Sequence, residues 1–220
     1  MTLHDIIICL GSFVILLSFI MAVYVSFITK KKYLFHFYFC PLLGLLISVN
    51  SIQISYLKHL NPNISFLLQN LLLSFELIFW NFFFLSMFEK KPSYFRKNFL
   101  FFLLPFVILY YKDIFSRPIF LMYSIFNLWK CFFCLIHFYS LFKRKSVIPI
   151  QNDSSFWIIT GLFFYSAFTL PEYSLHDYLR NNLNSILMSN LFASTNIAIL
   201  IMHILFIKAY LCQLQEKKIL

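Results

Sequence analysis

The chain reads as a succession of long apolar runs separated by short polar or basic stretches. A membrane-spanning helix needs about 20 mostly apolar residues, with a working range of about 17–25. By that measure there are seven candidate spans: Ile6–Ile28, Tyr33–Leu57, Ile64–Phe88, Phe99–Phe115, Ile119–Phe142, Phe156–Leu170 and Ile186–Ile207. The fourth and sixth are short. Pro105 predicts a kink in the fourth, and the sixth is expected to run past Pro171 or to cross with little tilt. The connections between runs are short, the longest being Lys143–Ser155 and Pro171–Ser185, so none can hold a soluble domain. The expected architecture is one all-α transmembrane domain over residues 1–220, a seven-helix bundle.

Basic residues fall unevenly between these runs. The connections after the first, third, fifth and seventh spans hold Lys30, Lys31, Lys32, Lys90, Lys91, Arg96, Lys97, Lys143, Arg144, Lys145, Lys208, Lys217 and Lys218. The other side holds Lys58, Lys112, Arg117 and Arg180. Lys and Arg concentrate on the cytoplasmic face of membrane proteins, so this bias puts the N-terminus outside and the C-terminus in the cytoplasm of a multi-pass cell-membrane protein. The first run is too long for a signal-peptide core and lacks a basic leader, so it reads as a retained span.

Composition agrees with lipid as the solvent. Of the 220 residues, 61% are hydrophobic and 12% charged, against about 45–50% and about 25% in a soluble domain. The net charge of +10 is explained by the positive-inside pattern and by attraction to anionic headgroups, which leaves little reason to expect nucleic acid as a partner. Five cysteines lie in or beside apolar runs, where they read as small buried residues and not as a disulfide framework. The three glycines, Gly11, Gly44 and Gly161, form no GxxxG pair, so close backbone packing of that type is not expected.

Polar residues inside the runs carry the candidate chemistry. Glu76 sits at the middle of the third run, Lys130 at the middle of the fifth and Asn196 near the middle of the seventh. A charge at the bilayer centre is costly and needs a partner or a purpose, so Glu76 and Lys130 are expected to face each other. At 1.5 Å per residue these three lie within about 3 Å of one plane, and His137 and His203 lie about 10 Å deeper. Residues seven apart share a helix face. Gln69 and Glu76, Tyr123 with Lys130 and His137, and Ser189 with Asn196, His203 and Tyr210 thus form narrow polar stripes on three spans. Asn50, Ser51 and Gln53 on the second span, level with Gln69 and Asn70, suggest a small polar pocket opening outward. The ligand or ion-pair candidates are Glu76, Lys130, Asn196, Gln69, Asn50, His137 and His203. Their bland alternative is a set of structural interhelical contacts.

Cys131, Cys134 and His137, with His203, make a weak case for a metal site, since no fourth ligand is indicated. No metal and no cofactor is expected. His4, His36, His59 and His176 read as interfacial or solvated, and the most polar outer connection, with Glu172 and Asp177 near His176, reads as a solvated interfacial helix or, alternatively, as a loop that senses pH or a cation. No phosphate-binding loop, zinc-protease motif, nucleophile elbow or spaced pair of carboxylates occurs, so no enzymatic activity is expected.

Beyond Ile207 the seventh run continues through Lys208-Ala209-Tyr210-Leu211-Cys212-Gln213 without a helix breaker, and is expected to project a turn or two into the cytoplasm. With Phe156–Tyr165 and Phe206–Cys212 as its most distinctive stretches, the whole-chain layout resembles the seven-helix input modules of bacterial membrane signalling proteins. That resemblance is one of layout, and no residue roles are carried over. It implies a standalone sensor or signalling subunit that acts through a separate partner reached by the last helix. The alternative is a small transporter or channel subunit using the Glu76/Lys130/Asn196 layer.

Overall fold

The computed structural model describes residues 3–29, 120–143 and 149–219, together with Glu76, Phe79, Trp80, Phe83 and Phe84. Every regular element among them is helical: α1 (Leu3–Thr29), α2 (Phe120–Lys143), α3 (Ser154–Ser174), the short α4 (His176–Asn182) and α5 (Ser185–Ile219). Four of these, α1, α2, α3 and α5, are long and apolar enough to cross a membrane. The five described residues from Glu76 to Phe84 are helical as well. The expected spans Tyr33–Leu57 and Phe99–Phe115, and most of Ile64–Phe88, lie outside the described residues.

The helices are greasy on the outside and mixed on the inside. On α1, Gly11, Ile15, Ser18, Ala22 and Val25 are buried, at alternating steps of four and three. That spacing makes one narrow stripe along a helix. The opposite face exposes Leu10, Phe13, Leu16, Leu17, Ile20, Tyr24 and Phe27. On α2 the exposed stripe is Ile125, Leu128, Phe132, Leu135, Tyr139 and Phe142, while Ser124, Asn127, Lys130 and His137 are buried. In water this pattern would be upside down. Against hydrocarbon it is what the backbone and side chains require, because polar groups find partners only inside the bundle.

Neighbours follow in the order α1 against α5, α5 against α3 and α3 against α2. The 76–84 segment packs on α2 through an aromatic cluster, with Phe84 5.4 Å from both Trp129 and Phe133, ring centre to ring centre. Trp129 meets Phe133 at 4.6 Å and stacks on Phe126 at 5.7 Å.

Helix α3 begins with Asp153 as its cap. The Asp153 carboxylate accepts from the Ser155 backbone N–H at 2.9 Å and from its hydroxyl at 2.6 Å. The helix does run past Pro171, to Ser174. Proline lacks the amide hydrogen but does not forbid the next turn, and the Leu175 N–H closes it onto the Pro171 carbonyl at 3.0 Å. The connection thought to be the most polar outer loop is thus mostly helix. Glu172 and His176 within it are buried, where His176 had been expected to be interfacial. Helix α5 starts at Asn184, whose side chain accepts from the Leu187 N–H at 2.9 Å.

Helices α3 and α5 run antiparallel and touch at three levels. Thr195 donates to the Glu172 carboxylate at one end. In the middle, a Cβ built on Gly161 would lie 3.1 Å from the Met202 carbonyl oxygen and 3.3 Å from Leu205 Cβ. At the far end Gln151, in the 3₁₀ turn Ile150–Asn152, accepts from Trp157 Nε1 at 2.7 Å and from Cys212 Sγ at 3.7 Å. Close backbone packing occurs at Gly161 without a second glycine, because the facing α5 carbonyl occupies the space a side chain would need. Past Ile207, α5 stays packed on the bundle through Ala209, Tyr210, Cys212 and Gln213, which are buried.

Candidate functional site

Lys130 and Glu76 come together. Lys130 Nζ lies 3.1 Å from Glu76 Oε1, with side chains 2% and 12% exposed. A lysine in this position must satisfy three N–H bonds and a full charge. Beyond Glu76, its ammonium sits 4.4 Å from the centre of the Phe126 ring and 5.2 Å from that of Tyr165. Ring faces carry partial negative charge, so both aromatics share in holding the cation.

The polar layer extends from this pair along α2 and α3. Asn127, one turn before Lys130, donates through Nδ2 to Thr169 Oγ1 at 3.0 Å, both residues being buried. Thr169 in turn donates to the Tyr165 carbonyl at 2.8 Å. Tyr123 stacks on Tyr173 with ring centres 5.1 Å apart. The Tyr173 hydroxyl makes a side-chain hydrogen bond with Tyr165. Glu172 accepts from the Thr195 hydroxyl on α5. Among the described residues the layer thus holds two carboxylates and one ammonium, with Tyr165 and Tyr173 beside them.

The other expected residues are placed differently. Asn196 is half-buried on α5. Its neighbour Thr195 bonds Glu172, whereas Lys130 lies over Tyr165, seven residues away along α3. Asn196 thus lies toward the Glu172 end of the layer. His137 is buried on α2, with Nε2 3.4 Å from Ser155 Oγ. His203 is fully buried, 5.4 Å edge-on to Phe206, and neither ring nitrogen has a hydrogen-bond partner among the described residues. Asn50 and Gln69 lie outside the described residues. Among the described residues no group of three His, Cys, Asp or Glu side chains is placed to hold a metal ion.

Sequence reasoning passed over Asn127, Tyr165, Thr169, Tyr173 and Thr195, and assigned Glu172 to a loop. The signal for the α2 members was present. Asn127 follows Tyr123 by four residues and precedes Lys130 by three, so all three share the stripe already recognised. On α3, Tyr165, Thr169 and Glu172 repeat that spacing, interrupted to the eye by Pro171.

No family model matches the chain, nor does any curated protein or solved structure.

Proposed function

We propose that the chain is a standalone seven-helix membrane sensor or signalling subunit, with its N-terminus outside and its C-terminus in the cytoplasm. It receives its signal at the buried polar layer and passes it through α5 to a separate protein. The observation that carries this reading is the continuity of α5. One uninterrupted helix of 35 residues, about 52 Å long, bonds Glu172 at its Thr195 turn and Gln151 at its Cys212 turn. A change of packing at the layer is felt at the chain's last residues because no hinge intervenes. The count of seven adds three apolar runs outside the described residues, and the orientation follows from the Lys and Arg asymmetry.

The test is an affinity pull-down of the detergent-solubilised chain, full length beside a form ending at Gln215. Truncation after Ile207 would remove the buried Tyr210 and Cys212 and so confuse unfolding with loss of a partner. A cytoplasmic signalling protein that copurifies with the full chain, and not with the shorter one, is the expected result. Nothing copurifying with either form overturns the reading.

One observation favours a second reading, a small transporter or channel subunit: the buried polar groups of α2, α3 and α5 adjoin one another over about two helical turns, which is a candidate pathway. Flux into proteoliposomes that vanishes in Glu76→Gln would support it, and absence of flux in the wild type would remove it.

A further inference from the structure

The two buried carboxylates of the layer are held in different ways. Glu76 has Lys130 as its counter-ion. Glu172, 5% exposed, has a neutral hydroxyl, that of Thr195. Among the described residues, the layer with both carboxylates ionised would hold two negative charges against one positive charge in a medium that solvates neither. With no counter-ion for it among the described residues, the Glu172 carboxylate is relieved most simply by a proton.

The surroundings give that proton a way in and something to act on. Pro171, Ser174 and Leu175 are exposed, so Glu172 lies within one turn of the open α3–α4 end. On its other side stand the hydrogen-bonded hydroxyls of Tyr173 and Tyr165, and Tyr165 is the ring beneath the Lys130 ammonium. The titratable or charged groups around Glu172 are Tyr165 and Tyr173 on α3, His176 at the start of α4, Tyr123 and Lys130 on α2, and Glu76. Helix α5 contributes Thr195 and Asn196, which do not titrate.

We propose that Glu172 is a proton-binding site coupled through Tyr173 and Tyr165 to the Lys130–Glu76 pair, so that the ligand of the polar layer is a proton taken up at the α3–α4 end. The inference rests on the layer being the receiving site only for its consequence, not for the binding itself. In the step, a hydronium ion at the α3–α4 end gives up one O–H bond and leaves as water, and the Glu172 carboxylate gains one O–H bond. The Thr195 donor bond to Oε2 is kept, and the layer gains one unit of positive charge. Tyr173 then faces a neutral acid in place of an anion, and the field along the tyrosine pair onto Lys130 changes.

Two of the chain's tryptophans report on this layer. Trp129 adjoins Lys130 in sequence, and Trp80 lies one turn beyond Glu76 in the same aromatic cluster. In a Trp157→Phe background, the full chain in lipid nanodiscs is titrated from about pH 4 to about pH 9, a window that spans carboxyl and imidazole groups, while tryptophan emission is read. The expected result is a single transition that is lost in Glu172→Gln and whose midpoint is displaced in Tyr173→Phe. A flat wild-type titration, or a Glu172→Gln protein that titrates like wild type, overturns the proposal. Should Glu172→Gln fail to fold, Thr195→Val keeps the carboxylate and removes its donor; a displaced midpoint supports the proposal and an unmoved one overturns it. A transition lost in Glu172→Gln together with an empty pull-down removes the signalling reading and leaves the proton site standing.

Discussion

Lys130 Nζ meets Glu76 Oε1 at 3.1 Å across 54 residues of sequence, inside a wall of aromatic rings. Each charge is the other's solvent. Removing one partner leaves a lone buried charge, whereas removing both leaves apolar surface. Lys130→Met or Glu76→Gln alone is expected to destabilise the bundle by about 3–5 kcal/mol, and Lys130→Met with Glu76→Met by less than either. Unfolding in mixed detergent micelles, compared across the three variants, checks the order.

Gly161 and Gly11 predict opposite outcomes for the same substitution. A Cβ at Gly161 would press on the Met202 backbone carbonyl, Leu205 and the Phe206 ring, and a backbone oxygen in a packed helix has little room to yield. Gly161→Ala is expected to cost about 1–3 kcal/mol by overpacking. A Cβ at Gly11 meets nothing within 4 Å among the described residues, so Gly11→Ala keeps the helix-propensity gain of up to about 1 kcal/mol. Thermal denaturation of the two variants side by side gives the contrast.

Asn127 and Thr169 supply a smaller, cleaner term. Their bond joins α2 to α3, and Thr169 also bonds within its own helix. A double-mutant cycle with Asn127→Leu and Thr169→Val is expected to return a coupling near 0.6 kcal/mol, as for other interhelical hydrogen bonds in membranes. A coupling indistinguishable from zero would mean that the two side chains do not meet in the lipid-embedded protein.

Asp153 tests the entry to α3. Asp153→Ala removes the acceptor for the Ser155 N–H and is expected to cost about 1 kcal/mol, while Asp153→Asn, an equally good cap, costs little. Amide hydrogen exchange at residues 154–157 should rise in the first variant and not in the second.

How much of this was legible in the sequence differs from residue to residue. The meeting of Glu76 with Lys130 could be read because charge in an apolar run is rare and costly, so the number of solutions is small. Depth could not be read as well. Centring Asn196 in its run assumed that run and helix coincide, and α5 extends from Ser185 to Ile219 while its apolar window is Ala193–Gln215. The passage of the sixth run beyond Pro171 could be read, but Glu172 falls in the polar connection after it, and nothing local shows that this carboxylate turns toward α5. The lack of a GxxxG pair is silent about Gly161, because a lone small residue allows close approach where the facing helix presents bare backbone. The docking of Cys212 on Gln151 is a tertiary contact between residues 61 apart, and nothing local announces it.

The three contact levels between α3 and α5 have a mechanical consequence. Sliding one helix along the other by a single turn, about 5.4 Å, would part Thr195 from Glu172, unseat Gly161 from the Met202 carbonyl and separate Cys212 from Gln151, all at once. A one-turn slide of this pair is therefore disfavoured as a whole, and among the described helices α1 is held to it through α5 and α2 through α3.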